Sequence, residues 1–163
     1  MSAAEVIASY LADQEFDHER FDEHSFAVAL PGEKRLKTAC LLTVGAHALA
    51  IEAFVSRAPE ENREQVYSYL LQRNARMYAV AWTIDATGDV YLTGRVPLAS
   101  VSADELDRIL GCVLEYSDGT FNTLLELGFG SSIRREWAWR VKRGESLANL
   151  QAFKAFAERN ACV

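Results

Sequence analysis

The sequence lacks the features typical of secreted disulfide-rich proteins, of small metal-stabilised domains and of membrane proteins. It has only three cysteines in 163 residues, at positions 40, 112 and 162, without a CxxC pair. An odd number of widely separated cysteines argues against a disulfide framework or a zinc site. No apolar run approaches the ~20 residues that span a bilayer, and no signal-like segment begins the chain. These absences predict a cytoplasmic protein with no membrane partner.

Recognisable catalytic motifs are also missing. The glycines form neither a P-loop nor G-x-G-x-x-G, and there is no G-x-S-x-G. The acidic segment 17–24 holds His18 and Asp22, which would share one face if the segment were helical, but no zinc or calcium spacing is complete. His47 stands alone in a predicted strand. We therefore predict no catalytic residues, no metal and no cofactor, and interpret segment 17–24 as a solvated connector.

Charged residues make up an ordinary 25% of the chain but are unevenly distributed. The chain has 17 Lys+Arg and 23 Asp+Glu, for a net charge of −6. Residues 1–30 hold seven acids and one base, whereas residues 131–163 hold three acids and seven bases. An acidic balance argues against a general nucleic-acid-binding surface, because phosphate binding needs basic residues. The two oppositely charged ends could pair within one subunit or across a dimer.

Hydrophobic periodicity predicts an α+β fold, a two-layer antiparallel β-sheet with flanking helices in the order α-β-β-β-α-β-β-α. The predicted elements are a helix over 3–16, strands over 26–30, 36–44 and 47–55, a helix from Ala58-Pro59, and a hairpin over 78–96. Gly45-Ala46 is predicted to form the centre of a type II′ turn.

The last predicted core helix has the clearest start. Ser102 and Glu105 match a capping box. We expect this helix to be kinked or broken at Asp118-Gly119 and to end at Gly128 and Gly130. Extra C-terminal helices follow, the first basic and the last over 147–158. We predict a single domain over 1–163, with a core over about 3–130 and a helical extension over about 131–160.

Segment 131–143 is the most unusual part of the chain, with five bases, one acid and two tryptophans. On a helix, Ile133, Trp137 and Val141 form one stripe, while Trp139 lies opposite. One tryptophan is then expected in the core, and the other either lies under arginine side chains or contacts a partner. The candidate protein-binding or dimer residues are Arg134, Arg135, Trp137, Trp139, Arg140 and Arg143; Trp82 and Tyr91 are candidates for contacts on the open sheet face.

Several runs in the chain resemble one known family. They are LPGEKRL (30–36), EAFV (52–55), LLQRN (70–74), DVYLTGR (89–95), FNTLLELG (121–128) and IRREWAW (133–139). The sequence resembles the actinobacterial branch of the YbjN-like domain family, from about residue 5 to about residue 155. That resemblance implies a regulator of sensory transduction with a fold like that of type III secretion chaperones, commonly dimeric. It implies no catalytic or ligand residues.

The sequence therefore predicts a non-catalytic protein-binding domain, a chaperone-like or regulatory adaptor that acts as a homodimer on an unidentified protein or peptide. Two alternatives stay open. An enzyme or small-ligand sensor would need a closed, mostly apolar pocket assembled only in the fold. A nucleic-acid-associated regulator would use the basic helix over 131–143.

Overall fold

The computed structural model describes residues 1–159 as an antiparallel sheet with helices packed on one face. The sheet has six strands in the order β1-β2-β3-β4-β6-β5. The α+β prediction is confirmed. In chain order the elements are α1 (Ala3–Asp13), β1 (Asp17–Arg20), β2 (Ser25–Pro31), β3 (Lys37–Val44), β4 (Ala48–Ser56), α2 (Arg63–Asn74), β5 (Ala81–Ile84), β6 (Val90–Pro97), α3 (Ala103–Arg143) and α4 (Lys154–Arg159), with 3₁₀ turns at Leu98–Ser100 and Ala148–Phe153.

One face of the sheet makes the hydrophobic core. Alternate residues of the strands are buried against α1, α2 and α3, as period-2 patterning requires. The residues between them, many of them alanines, are half-buried or exposed. The buried strand residues include Phe26, Val28, Leu30, Cys40, Leu42, Leu49, Ile51, Ala53, Val55, Leu92 and Trp82.

Segment 17–24 was predicted as a connector, but its first half is an edge strand. β1 pairs antiparallel with β2, with Asp17 opposite Ala29 and Arg20 opposite Phe26. All four β1 side chains are exposed, so the strand is held by backbone pairing and leaves no apolar pattern in the sequence. Because the segment is a strand followed by a turn, His18 and Asp22 do not share a helical face. The order is thus α-β-β-β-β-α-β-β-α.

Three local predictions are wrong by a few residues. α1 ends at Asp13, three residues before the predicted end. The β3–β4 turn is centred on Ala46-His47, since the Gly45 N–H donates to the Ala48 carbonyl at 2.9 Å. The pairing of Leu42 with Ile51 fixes this register and places exposed His47 in the turn. α2 begins at Arg63, after the predicted start at Ala58-Pro59.

Helix α3 runs for 41 residues and is not broken at Asp118-Gly119. Its first turn is capped as predicted, with the Ser102 hydroxyl accepting from the Glu105 N–H at 3.1 Å. The reciprocal half of the capping box is replaced, because the Glu105 carboxylate accepts from Tyr78 and Arg108 instead. Within residues 1–159, no helix has both the length and the apolar composition needed to cross a membrane.

Asp118, at the predicted helix break, instead anchors the loop between β2 and β3. Its Oδ1 accepts from the backbone N–H groups of Lys34 and Arg35 at 2.9 and 2.8 Å. A Cβ on Gly32 would clash with the Arg35 backbone carbonyl oxygen and lie 2.5 Å from the same Asp118 oxygen, so only glycine fits there. The loop within the LPGEKRL run is therefore fixed to the middle of α3.

The thiols take no part in this arrangement. Cys40 and Cys112 are free, and burial raises the pKa of Cys40 to about 12, which keeps it a neutral core residue. Cys162 lies outside the described residues.

We expect Asp118→Ala to lower the free energy of unfolding by about 1–2 kcal/mol, because two loop N–H groups lose a charged acceptor. Glu115→Ala, an exposed position on the same helix, is the matched control and should change stability by less than about 0.5 kcal/mol. Urea denaturation measures both variants. Equal stability of the two would remove the anchoring role of Asp118.

Candidate functional site

The C-terminal part of α3, residues 131–143, is the predicted basic helix, and we refer to it as the tail helix. It is joined to the first part of α3 through Gly128 and Gly130 at a kink at Phe129, whose φ of −135° and ψ of 18° are not helical, so two helices meet there. Gly128 and Gly130 are buried at close contacts. Cβ atoms there would lie 3.1 Å from Pro59 and 2.9 Å from Phe156 respectively. The kink thus lies where the sequence predicts one helix to end and the basic helix to begin.

The loop before α2 holds this kink. Glu60 and Glu61 donate their backbone N–H groups to the Gly128 carbonyl at 2.9 and 3.2 Å. The Glu61 carboxylate accepts from the Ser131 backbone N–H at 2.6 Å and from its hydroxyl at 2.8 Å. Glu60 bonds the Ser132 hydroxyl in the same way. The tail helix therefore takes its N-terminal cap from another part of the chain, as the orphan donors of a helix start require.

The inner side of the tail helix packs on a second small core. Ile133 is buried with Phe129 and Phe153, and Leu125 and Phe156 pack against them. Trp137, one turn after Ile133, is 9% exposed. Val141 was predicted to continue this stripe, but it is 56% exposed because the packing of this side stops one turn earlier. Trp137 is therefore the tryptophan that is buried in the second core.

The outer side presents the other tryptophan to solvent. Trp139 is 46% exposed, and the Arg143 guanidinium lies 4.7 Å from its ring centroid. Trp139 lines an open groove of about 610 Å³ together with Ser132, Arg135 and Glu136. The Arg135 guanidinium donates to the Ser132 hydroxyl at 3.1 Å. An aromatic ring, two arginines and a carboxylate are thus gathered on one surface, which we name the Trp139 patch (Ser132, Arg135, Glu136, Trp139 and Arg143).

Two of the predicted site residues lie elsewhere on the tail helix. Arg134 stacks on Phe156, with its guanidinium 4.2 Å from the ring centroid. Arg140 bonds Glu136 at 2.6 Å and the Ser146 carbonyl at 2.9 Å, which ties the end of the helix to the segment that follows. Both arginines therefore hold the tail in place in this structure.

The two predicted sheet-face residues are separated. Trp82 was predicted for the open face, but it is 4% exposed and points into the core, because its neighbours in β5 take the outer positions. Tyr91 lies on the open face, where it makes an edge-to-face contact with Phe54 at 5.5 Å between centroids. Phe54 belongs to the open face as well and was not among the predicted site residues, since its run was predicted as a strand without assigning residues to faces.

A second cavity had no signal in the sequence. It is an open cleft of about 580 Å³ between the end of α2, β5 and the middle of α3. Its walls combine aromatic and sulfur side chains with arginines, and they come from three separate elements. We name it the α2–α3 cleft; its lining includes Tyr69, Arg73, Arg76, Met77, Trp82 and Tyr116.

No cluster of three or more histidine, cysteine, aspartate or glutamate side chains with metal-binding geometry occurs among residues 1–159. In segment 17–24, the His18 Nδ1 lies 2.7 Å from the Phe16 carbonyl, and the Asp22 carboxylate accepts from the His24 N–H at 2.7 Å. These side chains are engaged in local backbone contacts.

The fold defines the chain as similar to type III secretion chaperones. The structure matches that of the ExsC-ExsE complex with a TM-score of 0.55 and 18% identity, over 74% of this chain and 92% of the other. It matches the heterodimeric ExoU-SpcU complex of the Pseudomonas aeruginosa type III secretion system with a TM-score of 0.54 and 17% identity, over 74% and 96%. The chaperone SycH of Yersinia pestis, in complex with a fragment of YscM2, gives 0.52 and 12%, over 71% and 97%.

The family is shown by sequence. Residues 3–126 match the YbjN family model, described as "Putative bacterial sensory transduction regulator". An uncharacterised protein of Mycobacterium leprae is 56% identical over 146 residues, which cover 90% of this chain and 79% of that protein. One of Mycobacterium tuberculosis H37Rv is 61% identical over 126 residues, or 77% and 69% of the two chains. The chain belongs to the YbjN family, as its sequence runs indicated.

The cap on the tail helix should respond to pH through Glu61. Hydrogen bonds from Ser131 hold the pKa of this carboxyl below its usual range. A lowered pKa means that the cap is fully formed above the ordinary value of about 4.3 and is lost as the pH falls through the lower, folded-state value. We therefore expect the amide proton signal of Ser131 to titrate below about pH 4.3 in NMR spectra.

Glu61→Gln should abolish this titration and shift the Ser131 amide signal upfield at neutral pH. Glu64→Gln, an exposed substitution in the first turn of α2, is the control and should leave the Ser131 signal unchanged. A Ser131 signal that titrates identically in Glu61→Gln would contradict the assignment of the cap.

Proposed function

We propose that this chain is a cytoplasmic, non-catalytic protein-binding domain that acts as a homodimer, in the role of a chaperone-like or regulatory adaptor. The fold supports this, because its structural neighbours are complexes of one protein with another, among them the HopA1-SchA chaperone-effector complex with a TM-score of 0.53. The proposed domain consists of the core over about 3–130 with the helical extension that follows.

The observation that carries the proposal is the exposure of Trp139. A tryptophan that is 46% exposed leaves much of a large apolar ring in water, although Trp137 two positions earlier is buried. Tryptophan and arginine are the residue types that dominate the binding energy of protein interfaces. The groove beside Trp139 has arginine and glutamate at its rim, as expected of a polar rim around an apolar anchor.

The open face of the sheet offers a second contact area. Phe54 and Tyr91 pack edge to face there, and the surrounding positions carry small side chains such as Ala50, Ala39 and Ala29. Small side chains leave the backbone of the sheet close to the surface, so an apolar surface can approach it closely. In the proposed dimer this face is available to the second copy or to the partner.

The opposite net charges of residues 1–30 and 131–163 are the basis for the proposed pairing between subunits. Arg140 and Arg143 pair with Glu136 and Glu145 of their own segment, and Asp17 of the acidic segment pairs with Lys37. Within residues 1–159, these ion pairs leave the acidic excess of residues 1–30 without a pair to Arg140 or Arg143 of the same chain. Across a two-fold axis, the acidic start of one copy would meet the basic tail of the other.

Trp139→Ala should weaken capture of the native partner about 30-fold, which corresponds to the roughly 2 kcal/mol of an interface hot spot. Val141→Ala is the matched control, because it also truncates an exposed apolar side chain of the tail helix, on the opposite side. Quantitative affinity capture from native lysate with each variant as bait measures the effect. Equal capture by wild type and Trp139→Ala, with far-UV circular dichroism unchanged, would remove the Trp139 patch from the proposal.

The purified chain should sediment as a dimer of about twice 18.2 kDa at low salt. Pairing between oppositely charged ends predicts that the dimer weakens as ionic strength rises, because salt screens exposed charges. Sedimentation equilibrium at two salt concentrations measures this. A monomer at micromolar concentration and low salt would contradict the proposed homodimer.

A further inference from the structure

The α2–α3 cleft is a cavity that the Trp139 patch does not use. Its volume of about 580 Å³ lies within the range of about 300–1,000 Å³ that is typical of ligand sites. It opens to solvent between the end of α2 and the middle of α3. The cleft is therefore large enough for one or two side chains of a bound segment.

One residue that lines the cleft, Trp82, carries an unpaired hydrogen-bond donor. The Trp82 indole N–H is buried and has no hydrogen-bond partner, unlike the other buried side-chain polar atoms in the described part of the chain. Leaving a buried donor unpaired costs free energy, so native proteins seldom do so. The strand that carries it is fixed, because the Asn74 side chain accepts from the Trp82 N–H at 2.6 Å and donates to its carbonyl at 3.2 Å.

Part of the cleft wall is apolar and polarisable. Met77, Tyr116 and Tyr69 line the cleft together with Trp82. The Tyr116 hydroxyl accepts from the Tyr78 backbone N–H at 2.9 Å, which fixes the ring on α3. Aromatic and methionine side chains adapt well to an inserted aliphatic or aromatic group.

The rim of the cleft is positively charged, in contrast to the chain as a whole. Arg73 and Arg76 line it with a single carboxylate, Glu115. Arg73 stacks on Tyr69, its guanidinium 4.5 Å from the ring centroid, which holds the charge at the rim. Local positive charge on a chain of net −6 favours a ligand with a carboxylate beside an apolar group.

We propose that the α2–α3 cleft binds an acidic peptide segment of the protein partner. An apolar side chain of that segment lies against Met77 and Tyr116, a neighbouring carboxylate meets Arg73 and Arg76, and an acceptor oxygen takes the Trp82 indole N–H. The inference rests on the proposed protein-binding function and deepens it by naming the chemistry of the partner. Glu115 at the rim disfavours a polyanion such as a nucleic acid.

The test uses the indole N–H signals of the full-length, ¹⁵N-labelled chain. There are three tryptophans, so there are three indole signals, and Trp82→Phe assigns the one from Trp82. The probe is an end-capped octapeptide of alternating glutamate and phenylalanine, compared with the same peptide carrying glutamine for glutamate. We expect a saturable downfield shift of the Trp82 signal with the acidic peptide and binding at least about tenfold weaker with the neutral one.

Charge-reversed variants supply the matched comparison. Arg76→Glu should weaken binding of the acidic peptide at least about tenfold, whereas Arg95→Glu, on the exposed face of β6, should change it by less than about twofold. Both variants alter the net charge equally, so the difference between them reports the cleft. Unchanged indole signals of Trp137 and Trp139 show that the fold is intact in each variant.

Three outcomes would overturn the inference. One is the absence of any saturable change in the Trp82 signal at millimolar peptide. Another is equal binding of the acidic and neutral peptides. The third is binding of 3-phenylpropionate or inorganic phosphate as tight as that of the peptide, which would indicate a small-acid or anion site. If one of these three outcomes occurs and Trp139→Ala still loses capture of the partner, the proposed protein-binding function is retained. Only the assignment of the cleft as a peptide site is then rejected.

Discussion

A long helix can change direction without fraying only if the backbone groups it releases find new partners, and in α3 those partners come from the loop that precedes α2. The Gly128 carbonyl accepts two N–H groups from that loop, and Glu61 caps Ser131. This contact sets the direction of the tail helix. It therefore determines that Trp137 is buried and Trp139 exposed, and it explains why Pro59 to Asn62 are not part of α2.

Much of the fold could be predicted because the spacing of apolar residues indicates which side of each helix or strand is buried. β2 alternates Phe26, Val28 and Leu30 with small residues, and each of the three is buried. The Ser102 cap depends on a residue only three positions away. The separation of Trp137 and Trp139 follows from the helical repeat. Features that depend on near neighbours in sequence, or on which side of an element faces the core, were thus accessible before the structure.

The features that were not predicted depend on contacts between distant residues. Asp118 and Lys34 are 84 positions apart, and Glu61 and Ser131 are 70 apart. An aspartate-glycine pair favours a helix break by local propensity, but two loop N–H groups and the packing of a 41-residue helix outweigh that propensity. β1 has no apolar pattern because its side chains are all exposed. The α2–α3 cleft lies between three elements that are separated in sequence, and residue spacing within each element does not predict that they are close together.

Both edges of the sheet carry features that oppose further strand pairing. β1 is four residues long and carries Asp17, Glu19 and Arg20, and the free edge of β5 at Trp82 is occupied by the Asn74 side chain. A further strand that approached the sheet would meet charged side chains at the β1 edge. At the β5 edge it would meet the Asn74 amide, which already bonds the Trp82 backbone. Recognition on this molecule then falls to side chains rather than to shared backbone hydrogen bonds. Partner selection should accordingly depend on the identity of individual residues in the bound segment, more than on its tendency to be extended.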